Sequence, residues 1–267
     1  MQTYDIETID LGKGQVALYD FGGLRLHAYA TNDPLDDEVF IVERVGRGFV
    51  IEPPCFVDNI YELEGYIASV GVEIEGIVAA YHMAGASFLK DTPVYGTDES
   101  NAYGHSGGGR ALIDGFVQAF GDAFDGSIFA LTDVIDGDTL TLAGVEMRVV
   151  RNGDAFDIEI PAMNAVYIHM MGHDCHSIVA GDGHADALVG QLEEFERRGF
   201  DLILTSHYTP EEQKDIRQKK TYLLDLKRIA AESDSADSFK QSVLLRYPDY
   251  SGLNYLDMTT GFFFPQH

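Results

Sequence analysis

Four stretches of this chain hold side chains able to bind a metal ion or move a proton. The first, Gly76-Ile77-Val78-Ala79-Ala80-Tyr81-His82-Met83-Ala84-Gly85-Ala86-Ser87-Phe88, puts Tyr81 and His82 directly after an apolar run. The second is Asn152-Gly153-Asp154, the third His173-Asp174-Cys175-His176, and the fourth Asp201 to His207. Imidazole nitrogen, thiolate and carboxylate are the donors zinc takes, usually four at once. Imidazole and phenol can also act as general acid or base. His173 to His176 cannot enclose an ion alone, because consecutive side chains do not point at one centre and the C-x₂-C spacing is absent. Ser106-Gly107-Gly108-Gly109 could present backbone N–H groups to an anion. It lacks the lysine of a P-loop and reads as a loop over a cleft, flanked by His105 and Arg110.

The elements that must position these residues follow from periodicity. Val16–Phe21 and Leu24–Ala30 around Gly22-Gly23 read as a hairpin, as do Val39–Glu43 and Phe49–Ile51, which stop at Pro53-Pro54. From Asp58 the period becomes helical, with Ile60, Leu63, Ile67 and Val70 on one face and Gly71 as C-cap. The buried strand Ile77–Ala80 follows. Val94-Tyr95 is a short strand, and a helix carries Leu112, Ile113, Phe116, Val117 and Phe120. A second strand-rich block predicts Ser127–Leu131, Thr139–Leu142, Val145–Val150, Asp157–Ile160 and Ala165–Met171. Leu188, Leu192 and Phe195 mark a helix, and Leu202–Leu204 a buried strand ending near His207. A helix follows Pro210, and Ser235–Arg246 reads as a last helix before an aromatic tail, Tyr247–Phe264. Two strand blocks, each followed by helices, with no linker, predict one α/β domain over 1–267, with 210–267 packed on it as an extension.

Of 267 residues, 44 are Asp or Glu and 18 Lys or Arg, a net charge of −26. Such a surface repels phosphate backbones and anionic lipid, so neither nucleic acid nor membrane is an expected partner. A small-molecule ligand is expected, and the aromatic tail could support a homodimer. Two cysteines, Cys55 and Cys175, make no disulfide framework. No signal peptide or apolar run of membrane-spanning length is visible, so a cytoplasmic location is expected.

This order of elements resembles the metallo-β-lactamase superfamily. Phe49-Val50-Ile51-Glu52-Pro53 is similar to the strand that ends in I-D-x-G there, and Gly76–Ala80 to the strand before T-H-x-H-x-D-H. Asn152-Gly153-Asp154 resembles P-G-H-T, and Met171-Gly172-His173-Asp174 the G-D turn that bridges two metals. Asp201–His207 resembles the strand and G-H that close the site. Tyr247-Pro248-Asp249-Tyr250 and Leu256 are similar to the C-terminal extension of a hydrolase-like branch.

The resemblance implies a four-layer αββα sandwich with a helical C-terminal extension. It also puts Tyr81 and Met83 at the first two histidines of the metal motif, Gly85 at its aspartate and Ala86 at its third histidine; His82 falls on a spacer. The expected reading is therefore a divergent member that lacks the dinuclear zinc site and binds a small molecule or partner without hydrolysis. In that reading Tyr81 and Met83 fill the vacated space. The alternative is a hydrolase of an ester, lactone, thioester or phosphoester, metal-free or with one zinc, iron or manganese. It would be held among Asp154, His173, Asp174, His207 and His82. His207, His173, Asp174 and Tyr81 are the expected cleft residues in either case.

Overall fold

The computed structural model describes residues 6–265. Its chain divides into two compact units. One takes the chain up to Met170 together with Ile203–Pro210; the other takes Met171–Leu202 and the chain from Glu211 onward.

The first unit carries the body of two sheets. Eight strands form the first in sequence order: β1 (Glu7–Asp10), β2 (Gln15–Asp20), β3 (Arg25–Ala30), β4 (Glu38–Arg44), β5 (Arg47–Ile51), β6 (Glu73–Val78), β7 (Val94–Gly96) and β8 (Asp133–Val134). Hairpins make β1 to β5 antiparallel. Helix α1 (Val57–Val70) carries the chain across so that β6 runs parallel to β5, with Val50 opposite Ile77 and Ile51 opposite Val78. Parallel strands are covered on both faces and read as unbroken apolar runs, which explains Ile77 and Val78; the expected strand Ile77–Ala80 instead starts at Glu73 and ends at Val78, leaving Ala79 and Ala80 in the turn that follows. On one face, Ile60, Leu63 and Ile67 of α1 pack with Val16, Tyr29, Ile41, Val50 and Ile77. Burying each of those three side chains contributes about 2 kcal/mol. Gly71 ends α1 at φ 71°, a left-handed conformation glycine adopts without a Cβ clash.

The second sheet runs β14 (Tyr208–Glu211), β13 (Leu202–Thr205), β12 (Ala165–Ile168), β11 (Phe156–Ile160), β10 (Val145–Arg151) and β9 (Thr139–Leu142). Alternation along β4 sends Phe40 to the face away from α1. There its ring meets Tyr167 of β12 edge-on at 6.1 Å, so the two sheets face each other through aromatic bulk. Helices α2 (Asp98–Ser106) and α3 (Gly108–Phe120) join β7 to β8.

In the second unit α4 (Asp182–Arg198) and α5 (Gln213–Glu232) pack along each other; α4 buries Val189, Leu192 and Phe195, and α5 buries Ile216, Leu223 and Leu226. Helices α6 (Ala236–Arg246) and α7 (Leu253–Phe263) follow.

Several expected boundaries move. Ser127–Leu131 is not a ladder strand: Asp125 turns the chain there by accepting from Ser87 N, Ser127 N and the Ser127 hydroxyl, leaving a single bridge between Ile128 and Ala84. The strand that joins the sheet is Asp133–Val134. The glycine run is the junction between α2 and α3, and α2 starts at a Thr97–Ser100 capping box. On α3, Leu112 and Val117 are exposed, while Ile113 is buried with Phe116 and Phe120 against it. The aromatic tail is helical from Leu253, with Leu256 buried and Phe263 stacked on Phe239. No helix among the described residues is long and apolar enough to cross a membrane.

Candidate metal centre

Three strand ends bring three histidines together. The first follows β6, where the chain turns through Ala79, Ala80, Tyr81 and His82. Glu52, at the end of β5, holds that turn. Its backbone N–H donates to the Val78 carbonyl at 3.1 Å. Its carboxylate accepts from the N–H groups of Ala80 (3.1 Å), Tyr81 (2.8 Å) and His82 (2.7 Å), and from the Tyr167 hydroxyl (2.9 Å). Burial pushes the Glu52 carboxyl up, and these donors oppose the rise.

The other two histidines follow β12 and β13. Ser206 N donates to the His169 carbonyl at 3.0 Å, which keeps the two strand ends side by side. Nε2 of His169 and Nε2 of His207 are 3.3 Å apart. The His82 ring centroid lies 5.0 Å from that of His207 and 5.5 Å from that of His169. One nitrogen from each of the three falls within 4.8 Å of the others, and among the described residues this is the group of three or more His, Cys, Asp or Glu that converges in this way.

Charge around the cluster is uneven. His207 Nδ1 is 3.0 Å from Asp37 Oδ1 and 3.1 Å from the Leu35 carbonyl, so in the neutral ring Nδ1 carries the proton and Nε2 has the lone pair. Burial alone would raise the Asp37 carboxyl, but the close approach of the His207 ring and the charges of His82 and His207 outweigh it and hold the group low. For His207 burial lowers the imidazole and Asp37 more than compensates, so the net direction is up. Burial, and then the charges of His82 and His207, push His169 well below its ordinary value. Tyr81 stacks flat on His169, ring centroids 4.6 Å apart at 7°. Its hydroxyl donates to Asp157 at 2.5 Å and lies against the Asn152 amide. Burial, then Asp157, raises the phenol far above its ordinary range, so it stays protonated.

These residues fit one metal ion. Tetrahedral bonds of about 2.0–2.1 Å place neighbouring donor atoms about 3.3 Å apart, which is the separation of the His169 and His207 nitrogens. A buried carboxylate behind a ligating imidazole is the usual support for such a donor. They do not fit two. Met83 is buried in the core with Ile77 and Phe88, Gly85 and Ala86 carry no donor, and the Tyr81 hydroxyl is committed to Asp157.

Of the residues expected from sequence, His82 and His207 join the cluster and Tyr81 forms its wall. Asp154 does not: it is exposed at the turn between β10 and β11. His173 and Asp174 do not belong to it either. In the second unit, His173 Nδ1 is 3.0 Å from Glu211 Oε1 and 3.7 Å from Asp215 Oδ1, and Asp174 is 4.0 Å from its other nitrogen. His105 and Arg110 are exposed, Arg110 paired with Asp114. Sequence reasoning missed His169. Its signal was available: a histidine directly after the buried run Ala165–Ile168, as His207 follows shortly after Leu202–Thr205.

No protein-family model matches the sequence, and a search of curated proteins returns no match. Solved structures do match. The stereoselective inverting sec-alkylsulfatase from Pseudomonas sp. superposes with a TM-score of 0.61 at 14% identity, over 92% of this chain and 49% of its own. The chain thus spans about half the length of that enzyme. A metallo-β-lactamase family protein from Thermus thermophilus gives 0.59 at 14% identity, over 90% of this chain and 91% of its own. A β-lactamase domain protein from Burkholderia ambifaria gives 0.61 at 13%, over 91% and 84%. With two facing sheets that superpose on these structures over about nine tenths of its length, this chain has the metallo-β-lactamase fold.

Proposed function

We propose that His82, His169 and His207 hold a single divalent metal ion and that the protein is a metal-dependent hydrolase of a small ester-type substrate. The convergence of the three imidazole nitrogens carries this reading. Zinc or iron suits an all-imidazole set better than manganese, which prefers oxygen donors. An ion bound by three imidazoles supplies a Lewis acid that activates water near neutral pH.

The chain's own residues do the rest. Glu52 fixes the backbone that carries His82. The paired ends of β12 and β13 fix the spacing of His169 and His207. The flat Tyr81 ring shields one face of His169, and its protonated hydroxyl, tied to Asp157, stays out of the donor set. Esters, lactones, thioesters and phosphoesters are candidate substrates, and the sulfatase among the structural neighbours adds sulfate esters. A net charge of −26 supports a small molecule over a nucleic acid.

The test is elemental analysis of the purified chain, followed by a substrate panel with and without added zinc or iron. About one ion per chain, lost in His169→Ala, with turnover that needs it, is the expected result. The donor-poor loop Met83–Ala86 favours a second reading, a binder without turnover. Bound metal with no activity on any ester class would select it; absence of triad-dependent metal would end both metal readings.

A further inference from the structure

Asp37 stands just before β4, in an acidic stretch that would ordinarily be solvated, yet it is 2% exposed. The backbone holds it from several sides. Asp33 Oδ1 accepts from Leu35 N at 2.8 Å and from Asp37 N at 3.3 Å, closing the turn. The Asp37 carbonyl accepts from Thr31 N at 3.0 Å and the Thr31 hydroxyl at 2.7 Å. One residue on, Glu38 N donates to the Ser206 carbonyl at 2.6 Å, which ties this turn to the residue preceding His207. The two carboxylate oxygens are held differently. Cys55 Sγ donates to Oδ2 at 3.1 Å. Oδ1 lies 3.0 Å from His207 Nδ1 but accepts no hydrogen bond, because the ring N–H is directed at the Leu35 carbonyl.

A buried carboxylate costs several kcal/mol unless it is paired. The partner here is the ring nitrogen on the far side of the imidazole from the cluster. We infer that Asp37 is the positioning residue for metal binding at the triad: it locks His207 with the proton on Nδ1 and presents Nε2 as a strong donor. Leu35 O alone could select the tautomer, since it accepts from Nδ1. What Asp37 adds is a full negative charge in a water-poor setting, which strengthens His207 as a donor and offsets the charge of the ion. Cys55 keeps the carboxylate from rotating away. This role rests on the metal reading above.

The experiment uses the full chain. Zinc affinity is measured by chelator competition for wild type, Asp37→Asn and His169→Ala, with cobalt(II) spectra to report the ligand geometry. Asp37→Asn is nearly isosteric and keeps the Leu35 contact. It should weaken zinc binding about 10- to 100-fold and alter the cobalt band pattern, with His169→Ala abolishing both signals. Independently, ¹⁵N-resolved imidazole spectra of the metal-free wild type, recorded at a pH where the ring is neutral, should show His207 protonated at Nδ1, an arm that needs no variant to fold.

Binding by Asp37→Asn within about threefold of wild type, or a neutral His207 ring with its proton on Nε2, overturns the role of Asp37 and leaves the triad standing. Wild type that takes up no zinc, or takes it up equally in His169→Ala, overturns the triad itself and the positioning role with it.

Discussion

Two regions of this molecule hold a histidine against buried carboxylates, and they differ in what the second ring nitrogen meets. In the first unit, His207 has Asp37 behind it and two more imidazoles in front, His169 and His82. In the second unit, His173 leans on Glu211 and Asp215 with Asp174 on its other side. There Glu211 also accepts from Gly172 N at 3.0 Å and His173 N at 2.7 Å. Lys219, 3% exposed, donates to the carbonyls of Gly172 and Cys175. That second region is a closed network whose charges answer one another and fix the path of Gly172–His176. The first has donors aimed at one common point. Density of ligand-type residues in sequence, greatest at His173–His176, therefore marks a structural clamp, while the cluster able to hold an ion draws its members from three separate strand ends.

The contrast can be broken in order of effect. Removing one triad nitrogen, His169→Ala or His207→Ala, should lower zinc affinity by about 100-fold or more, and chelator competition reads it. Asp37→Asn should cost about 10- to 100-fold in the same assay. In the other region Glu211→Ala should leave metal content unchanged but strand two buried N–H groups and the His173 ring, at about 2–3 kcal/mol of stability, visible as a lower urea midpoint. An effect of Glu211→Ala on metal affinity larger than that of Asp37→Asn would erase the distinction.

The smallest effect concerns His176, also in the second unit and 1% exposed, with Nδ1 2.9 Å from the Tyr222 hydroxyl. Burial, and then the charge of Lys219, lowers its pKa to about 4. Between about pH 6.5 and that value the unfolded chain binds a proton the native chain does not. Stability should therefore fall as pH drops through this window, by on the order of 3 kcal/mol, and level off below it. His176→Asn should flatten the dependence of the urea midpoint on pH across this range.

The frame of the fold was legible because it is written in periodicity. Ile77–Ala80 and Leu202–Leu204 are apolar runs with no polar alternative, and Ile60, Leu63 and Ile67 share one helical face. Within the site, His82 and His207 were legible as histidines after such runs. His169 was missed because the Gly172-His173-Asp174 turn, three residues later, better resembled a known bridging motif, and local likeness says nothing about which side chain turns inward. Asp37 was invisible for a different reason: of the acids from Asp33 to Glu38 three are buried, and only tertiary packing decides which of them meets an imidazole. The helix within the aromatic tail did not stand out because it starts after Gly252 and has Leu256, Thr259 and Thr260 as its buried residues, too mixed a face.

Glu52 adopts φ 59° and gathers three successive amides into its own carboxylate. The shape of the loop after β6 is thus dictated from outside the loop, by a side chain one strand away. From Ala80 to His82 the backbone therefore keeps its course without help from its own side chains, whereas farther on Met83 is fixed by the core and Gly85 by a φ of 85° against the Pro54 carbonyl. A scaffold anchored in this way separates the inheritance of a shape from the inheritance of a chemistry, and new donor sets can be tried in it without first solving the folding problem again.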